Sequence, residues 1–420
     1  MRSVLAASEV SAERIDALVA EFAAITEPGP GVTRLAYSRA EREAHAAFAG
    51  HMRRLGLSVR TDAAGNTIAE LTPVGDGKAR GIGTGSHLDS VPAGGRFDGT
   101  AGVIAAIEVA TVAVRTGLSI SRPWRFIAFA AEEGARFGQA CNGSRLAAGL
   151  TTADETGRFR DSAGLTMRSA MTAAGLRPDQ LDEARWDPAD WLAFVELHIE
   201  QGRMLEEHGC DIGVVETISG STRLLATVTG EASHTGGTPM SLRKDALVTA
   251  AECVLACDAI ARDAGHHGTR VTVGRMTVEP GSMTTIPGRV VFTVDIRDVD
   301  GERQHATEAA LAEEFRGISR RRGTGMSLAR LADTPPVALP EIVSSQIIAA
   351  AKATGTRYRV MPSGASHDAQ QVNHIVPAGM VFVPSHAGLS HVPEEHTTAQ
   401  QVATGTRILL DAMIRLDRRP

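Results

Sequence analysis

Apolar positions in this chain follow two rhythms, near-continuous runs and strict alternation, and the change between them divides the sequence. Residues 124–131 (WRFIAFAA) form a near-continuous run after Pro123, as in a strand buried on both faces, and stop at Glu132-Glu133-Gly134. Residues 191–202 (WLAFVELHIEQG) are a second such run. Alternation within it sets Glu196, His198 and Glu200 on one face, and it feeds a helix over 203–208. Residues 81–87 read as a short strand of small residues and Ile82 that ends at His87-Leu88-Asp89. A Gly/Pro-rich turn follows (Pro92, Gly94, Gly95), then Asp98-Gly99 and an apolar helical pattern from Thr100.

Helical spacing covers 38–55, with Ser38 as N-cap and Glu41 in capping-box position, and again 341–354 and 398–416. Strands at 57–60 and 67–71 flank a hairpin turn at 63–66, and 357–361 and 379–384 are further strands. Residues 151–190 are polar and irregular, with some helix. From Val214 the pattern turns to half-buried alternation. Strands at 221–230, 269–278, 289–298 and 326–331 are interleaved with helices at 244–263 and 302–322. That order, β-α-β-β-α-β, is the ferredoxin-like split unit. The expected organisation is therefore α/β, with a first domain at 1–214, an inserted one at 215–332 and the first resumed at 333–420.

Composition changes this picture little. At 420 residues with 43% hydrophobic content there is material for two cores. The formal charge of -6 and the absence of a basic run argue against nucleic acid or an anionic membrane as partner. No stretch approaches the roughly 20 apolar residues of a membrane span. The first residues (MRSVLAASEVSAERIDALVAEF) carry early acids and read as a helix, not a signal peptide. Of the four cysteines, Cys253 and Cys257 lie four apart on a helix pattern, while Cys141 and Cys210 are isolated. Reduced, buried thiols are expected, which favours a cytoplasmic protein.

The fourteen histidines are the unusual inventory. His45 and His51 fall on the 38–55 helix and read as solvated surface, and His208, His266, His267, His305, His374 and His396 as surface or structure. What remains collects at strand ends, where open α/β sheets bind ligands. His87, Asp98, Glu133, His198 and one of His386 and His391 make an inventory for two metal ions. Were Asp98 to bridge, each ion would take three protein atoms and keep open positions for water and substrate. Asp89 is placed to hold the other nitrogen of His87. Glu132 is a natural general base. Taken alone, each cluster also fits a satisfied histidine, a helix cap or a solvated loop, and Arg145 could neutralise the acidic pair.

Together the motifs GSHLDSVPAGGRFDGTAGV, AEEGARFG, ELHIEQG, SHTGGTPM, DIRD, SGASHDAQ and SHVPEEH resemble those of the M20-type dinuclear zinc amidohydrolases, over nearly the whole chain. The likeness is to the hydantoinase/carbamoylase amidase branch. That branch holds N-carbamoyl-L-amino acid hydrolases, allantoate amidohydrolases and β-ureidopropionases. The resemblance implies a metallopeptidase-like catalytic domain with a mostly parallel sheet, interrupted by a ferredoxin-like lid that also dimerises the protein. It implies two divalent ions, zinc first, with manganese, nickel or cobalt as alternatives. His87 and His198 would hold one ion, Glu133 and His391 the other, with Asp98 between them, Glu132 as base and Asp89 behind His87. His391 is preferred to His386 because it sits in the SHxPEE motif. The substrate would be a small molecule bearing a carboxylate, and a metal-bound hydroxide would cleave its linear amide or ureido C–N bond. An N-carbamoyl-L-amino acid would give the amino acid, ammonia and carbon dioxide.

In the inserted domain, His234 resembles a residue that crosses the dimer interface to stabilise the oxyanion. Arg297 resembles the one that holds the substrate carboxylate, and Gln201, Gly364, Ala365 and His367 resemble further contacts. Thr284 departs from the pattern, because many relatives carry asparagine there, so the substrate itself is open. Allantoate, β-ureidopropionate, an aminoacylase or peptidase activity, and a non-catalytic binding scaffold are the rival expectations.

Overall fold

A computed structural model describes residues 7–73 and 79–419, so the first six positions of the expected N-terminal helix lie outside the described residues. The chain divides into two compact units. One comprises the described residues up to Glu216, Leu339–Met361 and those from Ala365 onward; the other is Thr217–Ala338 with Pro362–Gly364.

In chain order the first unit lays down β1 (Ser58–Thr61), β2 (Thr67–Leu71), β3 (Gly81–His87), β4 (Trp124–Phe129), β5 (Trp191–Ile199) and β6 (Ile212–Ile218). The second holds β7 (Gly220–Thr229), β8 (Arg270–Thr272), β9 (Met276–Glu279), β10 (Arg289–Asp298) and β11 (Gly325–Thr334). The return adds β12 (Val337–Ala338), β13 (Tyr358–Ser363) and β14 (Ala378–Val383). The larger sheet runs β1-β2-β4-β3-β5-β14-β6-β12, with β13 also on β6. Its centre, β4-β3-β5-β14, is parallel, and β2 and β6 close on it antiparallel.

Helices α1 (Ala12–Ala24), α2 (Arg39–Arg54) and α3 (Thr100–Arg115) come early in the chain. The second unit supplies α4 (Ala246–Arg262) and α5 (Gly301–Arg322), and α6 (Glu341–Thr354) and α7 (Ala399–Asp417) follow. All nine residues of β5 are buried, which explains its near-continuous hydrophobicity, and all seven of β3 are buried too, though most of them are small. Helix α3 is buried almost all round, and α1 and α7 pack against it to form the main core. The helix can approach β5 so closely because it is lined with small residues. A Cβ at Gly102 would sit 2.2 Å from the Leu197 carbonyl oxygen.

In the second unit the sheet order is β11-β7-β10-β8, with β9 also on β10, all antiparallel. Val290, Phe292, Val294 and Ile296 of β10 face Leu311, Phe315 and Ile318 of α5 and Ala250, Cys253 and Cys257 of α4. The opposite face of the sheet carries the polar members of the alternation.

Several local expectations are corrected. The strand expected over 269–278 is two short ones, β8 and β9. Glu200 lies beyond the end of β5, and its carboxylate accepts the N–H groups of Met204 and Leu205 (2.7 and 2.9 Å), capping a one-turn helix. His45 is buried, not solvated: its Nδ1 meets Thr67 Oγ1 at 2.9 Å, and burial drives its pKa well below the ordinary value. His51 is half-buried and pairs with the Glu21 carboxylate at 2.9 Å. Ser38 does cap α2, accepting from Glu41 N, but the Glu41 side chain turns into the protein instead of closing the box.

Candidate metal centre

The parallel strands place their chemistry at their carboxyl ends. His87 is the last residue of β3, and His198 is the penultimate residue of β5. Asp98 precedes Gly99, whose φ of 61° turns the chain into α3. That position needs glycine twice over, because a Cβ there would also lie 2.4 Å from the His87 ring.

Asp98 is the hub. Its Oδ1 lies 3.2 Å from His198 Nε2 and 3.6 Å from His87 Nε2. Its Oδ2 lies 3.2 Å from His391 Nε2, which is itself 3.3 Å from Glu133 Oε2. Two triads with metal-ligand proximity thus share one carboxylate: His87, Asp98 and His198, and Asp98, Glu133 and His391. The imidazoles are aimed for this. His87 Nδ1 is engaged by the Asp89 carbonyl oxygen (3.1 Å) and His198 Nδ1 by that of Ile199 (2.9 Å), so in each ring Nδ1 keeps its proton and Nε2 is the nitrogen that faces Asp98, available to a metal once its own proton is lost. His386 points elsewhere, to Glu206 at 3.3 Å.

The Asp89 carboxylate lies 3.5 Å from His87 Nδ1, on the side where it was expected, and it has a further task. It accepts the N–H groups of Glu132 (2.8 Å) and Glu133 (3.0 Å). The two preceding N–H groups are held similarly, Ala131 by Glu41 (2.8 Å) and Ala130 by Asn66 (3.0 Å). Four successive donors, through the left-handed Ala131 (φ 58°), are thus fixed by side chains from other elements.

Glu132 Oε1 accepts from the buried Cys141 thiol at 2.9 Å, and Oε2 lies 3.8 Å from His87 Nε2. Arg145 does not neutralise the acidic pair; its guanidinium serves Thr151, Leu150 and Gln371. Gln201 Nε2 donates to Asp98 Oδ2 at 2.8 Å. His367 is buried edge-on against His198, with ring centroids 4.5 Å apart, and with Glu196 forms a deeper His/Glu group. Ala365 begins the segment leading to it. His234, Thr284, Arg297 and Gly364 belong to the second unit.

Residues that sequence reasoning passed over complete the site. Glu395 Oε1 accepts from the N–H groups of Phe97 (2.9 Å) and Asp98 (3.0 Å), and the Ser390 hydroxyl lies between Asp98 Oδ2 (3.0 Å) and Glu395 Oε2 (2.8 Å), its one proton serving either acceptor. Both lie in the very SHVPEEH segment that supplies His391, which was the available signal.

The electrostatics fit divalent cations. Burial raises Glu132 well above the usual carboxylate range and also raises Glu133, with negative neighbours adding to it. Asp98 is buried too, but contact with His198, His391 and His87 holds it well below that range. Contacts with Asp98 and Glu133 push His391 up to about 11. Glu133 Oε1 is buried with no hydrogen-bond partner. Buried carboxylates without a Lys or Arg beside them are costly, and protonated imidazoles stand in here for the missing charge. Hard oxygen and borderline nitrogen donors, three of each type converging, are a zinc- or manganese-type donor set.

Comparison with known proteins agrees with this geometry. The profile of Peptidase family M20/M25/M40 matches residues 83–415. The chain is 40% identical over 410 residues to an N-carbamoyl-L-amino-acid amidohydrolase of Paenarthrobacter aurescens, covering 98% of this chain and 99% of that one. It is 35% identical to an allantoate amidohydrolase of Bacillus subtilis, covering 92% and 93%. A hydantoinase/carbamoylase family amidase from Burkholderia multivorans superposes with a TM-score of 0.85 at 33% identity, covering 98% and 99%. The chain belongs to peptidase family M20/M25/M40, on its hydantoinase/carbamoylase amidase branch.

Proposed function

We propose that this protein is a metal-dependent amidohydrolase that cleaves the ureido C–N bond of an N-carbamoyl-L-amino acid. The observation that carries the reading is the double triad on Asp98, with a carboxylate, Glu132, beside it that neither triad uses. His87 and His198 would hold one divalent ion and Glu133 and His391 a second, with Asp98 bridging; zinc is the expected metal. When bound, such ions polarise a carbonyl oxygen and lower the pKa of water.

The chain's own residues do the rest. Glu132, its Oε1 occupied by Cys141 and its Oε2 turned toward His87, takes the proton of water and returns it to the leaving nitrogen. Burial keeps its proton affinity high, as a base for this transfer requires. Asp89 fixes the turn that carries it, and Gln201 steadies Asp98.

In the second unit, His234 Nδ1 accepts from the N–H groups of Gly236 and Gly237, each at 3.1 Å. The proton therefore sits on Nε2, the tautomer that donates to an oxyanion. We assign it that role, across a homodimer formed through this unit. Arg297, half-buried and steadied by Asp295 at 2.9 Å, takes the substrate carboxylate as a planar fork of donors. Thr284, Gly364, Ala365 and His367 would line the substrate. The free state of all four cysteines supports a reducing, cytoplasmic setting.

The test is ammonia release by metal-reconstituted protein. The panel is N-carbamoyl-L-amino acids, allantoate, β-ureidopropionate, an N-acyl amino acid and a dipeptide. Ammonia from the carbamoyl amino acids is expected. Free amine without ammonia would place the chain with aminoacylases or peptidases, and silence on every substrate would contradict the proposal.

A further inference from the structure

On the open face of the second unit's sheet, register brings two arginines, Arg223 and Arg297, to one carboxylate and sets a third, Arg270, opposite Arg297. Arg297 of β10 lies opposite Ser221 of β7 on one side and Arg270 of β8 on the other. Asp295, two residues earlier on the same face, lies opposite Arg223 and Thr272. Asp295 is already committed: it accepts from Arg297 Nε and Ser221 Oγ, both at 2.9 Å, and lies 3.6 Å from Arg223 Nε. No group among the described residues accepts a hydrogen bond from the Arg270 side chain.

Like charges facing each other across a ladder repel, and while Asp295 offsets Arg297, no carboxylate among the described residues of this unit is paired with Arg270. Both reach the same point. Arg297 Nη1 lies 3.4 Å from the Gly364 carbonyl oxygen, and a Cβ at Gly364 would stand 3.3 Å from Arg270 Nη1. Two planar donor forks, one strand apart, one bonded to Asp295 through Nε and the other without an acceptor among the described residues, match a molecule with two carboxylates better than one with a single carboxylate. Side chains directly opposite start about 5 Å apart, a spacing that the short carbon chain between the carboxylates of an acidic amino acid can bridge.

We infer that Arg270 is a specificity-determining residue that binds a second carboxylate on the substrate, so that the preferred substrate is the N-carbamoyl derivative of an acidic amino acid. This rests on the reading above in which Arg297 takes the first carboxylate.

The test compares N-carbamoyl-L-glutamate with N-carbamoyl-L-glutamine, which differ only by carboxylate against amide, on the metal-reconstituted full chain and its Arg270→Met variant. The expected kcat/KM is ~10- to 100-fold higher for the dicarboxylate, the worth of one hydrogen-bonded charge. In R270M the preference disappears through KM, with turnover of the glutamine compound unchanged. Equal kcat/KM for the two compounds in the unmodified protein, or an equal loss on both in R270M, would overturn the inference; the latter would mean that Arg270 serves the first carboxylate. Calorimetric binding of L-glutamate and L-glutamine is the second readout, independent of turnover. If no ureido compound releases ammonia, the proposed reaction falls. Tighter glutamate binding that R270M abolishes would still support the anion site, and equal binding of the two would overturn it.

Discussion

Glu132 and Glu133 are adjacent in sequence, yet their surroundings separate their work. Glu133 turns to His391, while Glu132 is held by a thiol and left with one oxygen toward the cluster. Glu132→Gln is therefore expected to lower kcat about 100- to 10,000-fold with metal content unchanged, as steady-state kinetics beside elemental analysis will show. Full turnover in that variant would remove the assigned base. Glu395 acts at one remove, since it fixes the main chain at Phe97 and Asp98 and orients Ser390. Glu395→Gln puts an amide where one acceptor oxygen stood, and metal affinity should fall about 10- to 100-fold, read by competition with a chromophoric chelator. An unaltered affinity would confine Glu395 to the fold. Chemistry-bearing residue types in strand-end positions mark His87, Asp98, Glu133 and His198 as candidates in the sequence, and the fold brings their side chains within reach of one another. The roles of Glu41 and Asn66 were not legible, because accepting main-chain N–H groups leaves no periodicity or spacing in a sequence, and Glu395 was marked only by the SHVPEEH segment it shares with His391. His45 was misplaced since helical spacing tells which face a residue is on, not that Thr67 covers it.

At the level of elements, the site depends on where strands stop and how the next segment starts. The run ending at Glu132 was readable because a strand buried on both faces need not alternate and charged residues stop it, whereas the strand ending at His87 showed only small residues and Ile82 before a turn. Gly99 shows what the pattern hid: its positive φ and its contact with the His87 ring allow the loop to pass between strand end and helix start. Gly99→Ala adds backbone strain and a clash, together about 3 kcal/mol or more. Urea unfolding of the metal-free protein should show this loss, and metal should fail to restore the His87 contact. A variant as stable as the parent would mean that the loop has room to shift. The single strand expected over 269–278 broke into β8 and β9, a distinction alternation cannot make, and that break leaves Arg270 on a three-residue strand at the sheet edge.

At the scale of the molecule, metal, protons and stability are linked. The imidazoles of His87, His198 and His391 are all raised above the ordinary histidine value by the carboxylates they face, against the opposing effect of burial. Without metal they hold protons; to bind metal they must lose them. The sign follows: metal affinity rises with pH through the neutral range, and loading releases protons. Calorimetry in buffers of different ionisation enthalpy measures that release, and a pH-independent affinity would contradict it. The sequence changes from near-continuous runs to alternation near Val214, and each rhythm reflects whether one sheet face or both are covered. The central claim is that Asp98 joins two cations. Crystals of zinc-loaded protein, measured at the zinc absorption edge, should show two anomalous peaks flanking the Asp98 carboxylate, one beside His87 and His198 and the other beside Glu133 and His391. A single peak, or none between these residues, would contradict the account.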